Sequence, residues 1–284
     1  MWDGADHSTG IFTIAPPVSY IVIKQTVTLF IAIAIAKSAH AGLIYNFQSV
    51  STGLRETTVA GTATADQGRM RLDVKRGDGT VLKDNTIALS INGGRALRVL
   101  DPSSKTYYDV DLDQLLGGVS ALAQQFGSVV KISAANAKVK TRDDGKGGTI
   151  EGYATRRALV SSEYDLILDA FGQKTTIHVA TNTQSWITSS LPPEMTSVFQ
   201  MNGVKTGIAD IDKLIQTQMG SLTGFPLKQI TTFRANDMES TTTTTVTGIQ
   251  KKDVEAALFE TPSGFTKVDS PFDALLKTMQ GLGK

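Results

Sequence analysis

Between Tyr45 and Tyr108 the chain repeatedly alternates apolar and polar side chains. In "GRMRLDVKRGDGT", the apolar Met70, Leu72 and Val74 are separated by charged residues. A period of two residues is that of a β-strand with one face buried and the other in water. We therefore expect a sheet whose polar face is solvated.

Short turn sequences separate the alternating segments. Residues 77–79 (GDG) and 92–94 (NGG) tolerate positive φ, and residues 101–104 (DPSS) combine a fixed proline φ with an aspartate that can cap the turn. Leu97, Val99, Tyr108 and Val110 continue the apolar rows between the turns. This arrangement predicts an antiparallel meander.

The period then changes to that of a helix. Residues 112–127 place Leu112, Leu116 and Val119 on one stripe. A second strand block follows over about 130–188, with turn signals at 143–148 and 170–173. Pro192 and Pro193 open a second helical region that extends to about Met219.

Two further strands, a short irregular segment and a terminal amphipathic stretch complete the chain. The pattern of strand block, helix, strand block, helix and strands predicts a mainly β (α+β) fold. We expect a curved antiparallel sheet, or incomplete β-barrel, with helices packed in its concave side. No linker of low complexity divides residues 42–284, so we expect one domain there.

The stretch "KQTVTLFIAIAIAKSAHA" has the form of a secretory signal peptide. Lys24 precedes an apolar run, and Ala39 and Ala41 form the small-residue cleavage pattern, so we expect cleavage after Ala41 and export to the periplasm. The alternative is a membrane anchor. Lys24 and Lys37 enclose only 12 residues, fewer than the ~20 that a spanning helix needs.

Residues 1–20 do not resemble the start of such a signal, because they contain Asp3 and Asp6 and no Lys or Arg. We interpret residues 1–41 as an upstream extension followed by the signal peptide. Our hypothesis is that translation begins near Val22.

Charge and cysteine content exclude several functional classes. Lys plus Arg total 28 and Asp plus Glu 27, so no net field attracts nucleic acid. The absence of cysteine excludes thiolate catalysis and cysteine-ligated metals or clusters. We expect no cofactor, no metal site and no stable membrane span after cleavage.

Two local motifs have simpler structural explanations. Arg76-Gly77-Asp78 matches an integrin-binding tripeptide, but the same residues suit a hairpin turn. Asp109, Asp111 and Asp113 alternate as in a calcium loop. An EF-hand requires Gly and Glu at positions that Gln114 and Ser120 hold here.

His178 is the single histidine after residue 41, and it lies in the alternating strand "TTIHVAT". A hydrolase would need it beside a Ser and an Asp, but no Gly-x-Ser-x-Gly elbow is present. We expect it on the wet face of a strand. The run Thr241–Thr245 is similarly expected to be a solvent-facing strand.

Five segments in order after the signal peptide resemble a bacterial family of unknown function: "GRMRLDV", "RALRVLDPSSKTYYDVDL", "GYATRRALV", "GFPLKQ" and "LFETPSGFTKV". That family is grouped by fold with the periplasmic lipoprotein carriers LolA and LolB, and the resemblance covers most of 45–268. It implies an incomplete barrel closed by helices, with an apolar interior. In the carriers an early-strand arginine governs lid closure, and Arg69 or Arg71 is the nearest match here.

We therefore expect a non-enzymatic carrier or binder of lipid or lipoprotein acyl chains. The alternatives are an envelope module that has no ligand cavity and contacts a partner protein, and a hydrolase using His178. The predicted apolar ligand-binding residues are Leu72, Val99, Tyr108, Leu116, Val119, Phe199 and Ile211.

Overall fold

A computed structural model describes residues 42–53, 56–78, 81–113, 130–170, 172–192, 205, 207–220, 223–271 and 273. All of them belong to one unit, His40–Lys284. They form one sheet of 12 strands, which is curved and not closed. The predicted mainly β class and the curved antiparallel sheet are confirmed.

The strands follow the predicted blocks closely. Their bounds are β1 (Gly42–Gly53), β2 (Thr57–Asp66), β3 (Arg69–Gly77), β4 (Ile87–Ile91), β5 (Ala96–Asp101), β6 (Thr106–Asp111), β7 (Val130–Ile150), β8 (Tyr153–Ala170), β9 (Gln173–Thr188), β10 (Phe225–Ala235), β11 (Met238–Lys252) and β12 (Thr266–Lys267).

The spatial order is β12-β6-β5-β4-β3-β2-β1-β11-β10-β9-β8-β7. Two meanders, β1–β6 and β7–β11, therefore meet where β1 pairs with β11. Every pairing is antiparallel except that of β12 with β6, which is parallel. This layout places β1 in the interior of the sheet and β7 at one end.

The described residues contain one α-helix, α1 (Ala209–Gly220), which lies within the second predicted helical region. Asp210 and Asp212 lie in its first turn, where carboxylates complement the helix dipole. The helix contacts β7 and β8. The first predicted helix lies outside the described residues beyond its start at Leu112 and Asp113, and so does nearly all of the terminal amphipathic stretch.

Among the described residues, no helix is both long enough and apolar enough to cross a bilayer.

The turn predicted at residues 143–148 is wrong. Strand β7 continues through this segment with register shifts between Asp143 and Gly148. Gly145 and Gly148 both have φ of +80°, so the glycines permit bulges instead of a reversal. The chain reverses at Glu151 and Gly152, whose positive φ values suit a two-residue hairpin.

The largest apolar core lies around β1. Tyr45 and Phe225 are both fully buried, with their rings edge-to-face at a centroid distance of 5.4 Å. Burial raises the pKa of the Tyr45 hydroxyl well above its ordinary value. Leu191 and Leu227 belong to the same core.

Strand β7 forms the end of the sheet and has 21 residues. Five cationic side chains along it are exposed: Lys131, Lys138, Lys140, Arg142 and Lys146.

Candidate functional site

One apolar row crosses the six strands of the first meander. Directly paired residues of neighbouring strands lie on the same face of a sheet. The register places Tyr45 beside Ala63, Ala63 beside Leu72, and Leu72 beside Ala88. The row continues through Val99 to Tyr108. We call the side of the sheet that carries this row the Leu72 face.

The register thus brings together three of the predicted ligand-binding residues. Leu72 is 2% exposed and Val99 is 1% exposed, so the protein's own atoms cover both. Tyr108 is half-buried, and its hydroxyl donates to the carbonyl oxygen of Val81 at 3.2 Å.

The other predicted apolar residues are not brought to this row by the described structure. Leu116, Val119 and Phe199 lie outside the described residues. Ile211 is half-buried on α1, which contacts β7 and β8 rather than β3–β6.

The opposite side of the same strands carries a charged row, and we call it the Arg71 face. Arg71 lies beside Leu89, Leu89 beside Arg98, and Arg98 beside Asp109. Arg71 bonds both carboxylate oxygens of Asp73, its Nε lying 2.9 and 3.1 Å from them. Arg98 makes a bidentate pair with Asp109 at 2.7 and 3.1 Å.

The predicted solvation of this face holds only in part, because Asp111 is exposed but other residues are not. Leu89 and Leu100 point to it, yet both are fully buried. Residues 256–268 contact the Arg71 face, and we call this segment the strap. Alternation in the strands contains no information about a cover that comes from elsewhere in the chain.

Three arginines on this face hold the strap. Arg71 Nη1 donates to the carbonyl oxygen of Leu258 at 3.2 Å, and Arg98 Nη1 donates to Thr261 Oγ1 at 3.0 Å. The guanidinium of Arg69 lies 4.6 Å from the ring centroid of Phe259, a cation–π distance. The arginines thus bind both the backbone and side chains of the strap.

The C-terminal end of the strap adds a strand to the sheet edge. The backbone N–H of Thr266 donates to the carbonyl oxygen of Lys105 at 2.9 Å, and that of Val268 donates to Tyr107 at 2.8 Å. Lys267 Nζ lies 2.9 Å from Asp109 Oδ2. Burial alone would raise the pKa of Asp109, but hydrogen bonds from Arg98 and Lys267 outweigh it and lower that pKa.

Arg69 and Arg71 therefore lie on the side of β3 opposite to the apolar row. Arg69 also pairs with Asp66 at 2.7 Å. A role of either arginine in lid closure or ligand binding remains a prediction.

Polar side chains continue the Leu72 face beyond Phe47. The first row joins Ser49, Thr244, Gln229 and Ser185 on four adjacent strands. Ser49 and Thr244 hydroxyls are 3.1 Å apart, and Gln229 Nε2 donates to Ser185 Oγ at 3.0 Å. This row contains hydroxyls and one amide and no charge.

A second row lies two residues further along the same strands. It joins Ser51, Thr242, Thr231 and Thr183. Their hydroxyls form two hydrogen-bonded pairs, Ser51 with Thr242 at 2.7 Å and Thr183 with Thr231 at 3.2 Å. We call these eight residues together the hydroxyl rows.

The hydroxyl rows went unrecognised in the sequence. The run Thr241–Thr245 does form a strand, but its residues are half-buried and not solvent-facing. Thr242 and Thr244 point to the Leu72 face, and the alternate threonines point away. Alternate hydroxyls in "QSVST" and "TNTQS" are the signal that could have located the rows, once their register was known.

Ser162 on β8 lies beside this surface. It pairs with Thr181 of β9, and two residues before it Val160 pairs with Thr183. Ser162 is 1% exposed, and within the described part of the chain its Oγ has no hydrogen-bond partner. A buried unpartnered hydroxyl is uncommon in native proteins.

His178 lies on an exposed part of β9, as predicted. Its Nδ1 is 2.9 Å from Asp165 Oδ1, and that hydrogen bond lowers the pKa of Asp165, with a further contribution from Asn136. No serine hydroxyl among the described residues completes this pair into a triad.

The described residues contain no group of three or more histidines and carboxylates that could hold a metal. Two of the aspartates that alternate as in a calcium loop make ion pairs. Asp109 contacts two cations, and Asp113 pairs with Arg95, which lowers the pKa of Asp113.

No family model and no curated protein matches the chain. Similar solved structures include an uncharacterised conserved protein of Thermus thermophilus, at 11% identity and a TM-score of 0.37, which covers 86% of this chain and 99% of that one. A LolA superfamily protein of Nitrosomonas europaea is similar at 11% identity and a TM-score of 0.31, covering 78% and 90%.

A DUF1329 family protein of Desulfovibrio piger is similar at 9% identity and a TM-score of 0.31, covering 84% of this chain and 97% of that chain. The fold group that the sequence segments resemble is therefore among the similar structures.

Proposed function

We propose that the protein is a secreted, periplasmic carrier or binder of an amphipathic ligand, such as a lipid or lipoprotein acyl chains, and that it acts without catalysis. The observation that supports this proposal is the composition of the Leu72 face. An apolar row across six strands adjoins the uncharged hydroxyl rows on the same side of the sheet. An amphipathic molecule presents the same two chemistries.

The energetics are adequate for reversible carriage. Burial of on the order of 300 Å² of acyl-chain surface contributes about 7 kcal/mol at ~25 cal/mol per Å². Association entropy and side-chain ordering offset part of this. The signal-peptide pattern before Ala41 supports an envelope location, where such ligands are found.

Adjacent tyrosines of β6 provide a matched test of where the ligand binds. Tyr108 belongs to the Leu72 face, whereas Tyr107 lies on the Arg71 face under the guanidinium of Arg98. We expect Tyr108→Ala to weaken binding of a fluorescent fatty acid by roughly tenfold, equivalent to about 1.4 kcal/mol. Tyr107→Ala should leave the affinity unchanged.

The measurement uses protein expressed with its own signal peptide in a Gram-negative host. Native mass spectrometry and lipid extraction identify what the protein carries, and fluorescence titration gives the affinities. A protein that emerges empty and ignores fatty-acid probes is not a carrier.

The burial of Leu72 and Val99 favours a second candidate. If the side chains of the protein itself fill the space over the row, the chain is a structural or interaction module of the envelope. This candidate predicts an empty mass spectrum, no probe binding, and recovery of a partner protein by crosslinking in the periplasm.

The hydrolase candidate has weaker support, because His178 contacts an aspartate and no described serine. His178→Ala is expected to leave probe binding intact. Loss of an esterase activity in this variant would favour the hydrolase.

A further inference from the structure

The hydroxyl rows have a composition that selects among amphipathic ligands. The eight side chains offer hydroxyl and amide groups, and no Lys, Arg, Asp or Glu is among them. Phosphate and carboxylate ligands are usually recognised through charge-assisted bonds from Arg or Lys. An uncharged surface of this kind favours an uncharged polar partner.

The rows keep the capacity to bind such a partner. A hydroxyl has one donor and two acceptor positions, so the pair Thr183 and Thr231 uses only part of its capacity in bonding to each other. Seven of the eight residues are half-buried, and Ser185 is fully buried. Hydrogen bonds made in partly buried surroundings are stronger than those made in open water.

Ser162 supplies an independent observation. Its buried Oγ lies on the same face, next to Thr181, and has no hydrogen-bond partner among the described residues. A buried polar group without a partner is unfavourable, and a hydroxyl of a ligand could satisfy it. The unpartnered atom thus belongs to the surface where a polar ligand group would be placed.

We propose that the hydroxyl rows and Ser162 bind the head group of the amphipathic ligand, and that this head group is uncharged and rich in hydroxyls, as in a sugar or polyol. This inference rests on the proposed carrier function and specifies its ligand class.

Three probes that share a dodecyl chain test the head-group preference: dodecyl maltoside, dodecyl phosphate and dodecyl trimethylammonium. Each competes, below its micelle concentration, with a fluorescent fatty acid on the purified protein. We expect dodecyl maltoside to bind roughly tenfold tighter than either charged probe.

Strand β10 provides a matched pair of double variants. Thr183→Val with Thr231→Val removes one hydroxyl pair from the hydroxyl rows. Thr232→Val with Thr241→Val removes a pair with the same 3.2 Å separation from the opposite face. Valine keeps the shape of threonine and suits a strand, so both variants are expected to fold.

The expected result is loss of the maltoside preference in the first double variant and its retention in the second. If all three probes bind equally, carriage stands and the head-group inference is wrong. If both double variants lose the preference, the effect is structural and the inference is also wrong. Failure of every dodecyl probe to bind overturns the carrier function and the inference together.

Discussion

The two faces of strands β3–β6 both hold fully buried leucines, Leu72 on one face and Leu89 and Leu100 on the other, but in different surroundings. On the Leu72 face, Leu72 and Val99 belong to two apolar clusters of buried side chains. The Arg71 face carries the strap, which arginine side chains hold through hydrogen bonds and a cation–π contact, and Lys267 of the strap forms an ion pair with Asp109. A row of charges on an alternating strand can therefore anchor another segment of the chain instead of facing water.

Truncation of one leucine on each face is expected to have the largest effect. Leu72 and Leu100 are both almost fully buried, on opposite faces. Leu72→Ala and Leu100→Ala should each lower the free energy of unfolding by about 2–5 kcal/mol, because each leaves a cavity. Urea unfolding followed by circular dichroism measures both changes.

A small effect of Leu100→Ala on the free energy of unfolding, beside a large effect of Leu72→Ala, would contradict the view that both faces contain a packed core. It would mean that the strap covers Leu100 too loosely to form a second core.

Arg98→Ala should have an intermediate effect, because it removes the bidentate pair with Asp109 and the bond to Thr261. We expect a loss of about 1–2 kcal/mol in the free energy of unfolding, since these are charge-assisted but partly exposed bonds. Limited proteolysis should cut the strap faster in this variant. Arg95→Ala, which removes the more exposed pair with Asp113, is the control and should leave strap cleavage unchanged.

Acid should release the strap before the rest of the sheet unfolds. The folded-state pKa of Asp109 is lowered, so its stabilising contribution is present above the unfolded pKa of about 3.9 and is lost as pH falls through the folded value. The protection factors of the Thr266 and Val268 amides, which correct for the pH dependence of intrinsic exchange, should therefore fall below about pH 4.

The variant Asp109→Asn distinguishes the effect of Asp109 on the acid response from that of other carboxylates whose pKa is also lowered, such as Asp101. In that variant the protection factors of the two amides should already be low at neutral pH and should change little with acid. If the amides of Thr266 and Val268 in Asp109→Asn showed the same dependence on pH as in the wild type, Asp109 would not be the group whose protonation releases the strap.

Arg69→Ala should have the smallest effect. Arg69 is more exposed than Arg71, and its contacts are one ion pair and one cation–π contact. Such contacts contribute about 0.5–1 kcal/mol each at exposed sites. Thermal unfolding should show a small decrease in Tm, and a decrease as large as that of Leu100→Ala would show that Arg69 does more than hold Phe259.

Most of the fold could be predicted because it depends on local signals. Alternation over residues 69–75 and turn sequences at 92–94 and 101–104 specify strands and reversals within a few residues. The turn prediction for 143–148 failed because it used the same kind of local signal. Its glycines are typical of turns, but here they permit bulges inside a 21-residue strand.

The candidate site was predicted only in part, because its remaining features depend on long-range register. Leu72, Val99 and Tyr108 belong to strands β3, β5 and β6 of one meander, so the short connections between successive strands align them. Ser51 and Thr242 are 191 residues apart in sequence, and nothing local aligns them. The strap contact of Arg98 with Thr261, 163 residues away, is equally invisible to a period-two pattern.

The cationic end strand β7 has a consequence for the behaviour of the protein at high concentration. Unpaired strand edges recruit strands from other copies and so lead to aggregates, and lysines and bulges oppose this. With five exposed cations and local register shifts, β7 is a poor template for such growth. Replacement of these lysines by neutral residues should therefore shorten the time over which a concentrated solution stays clear.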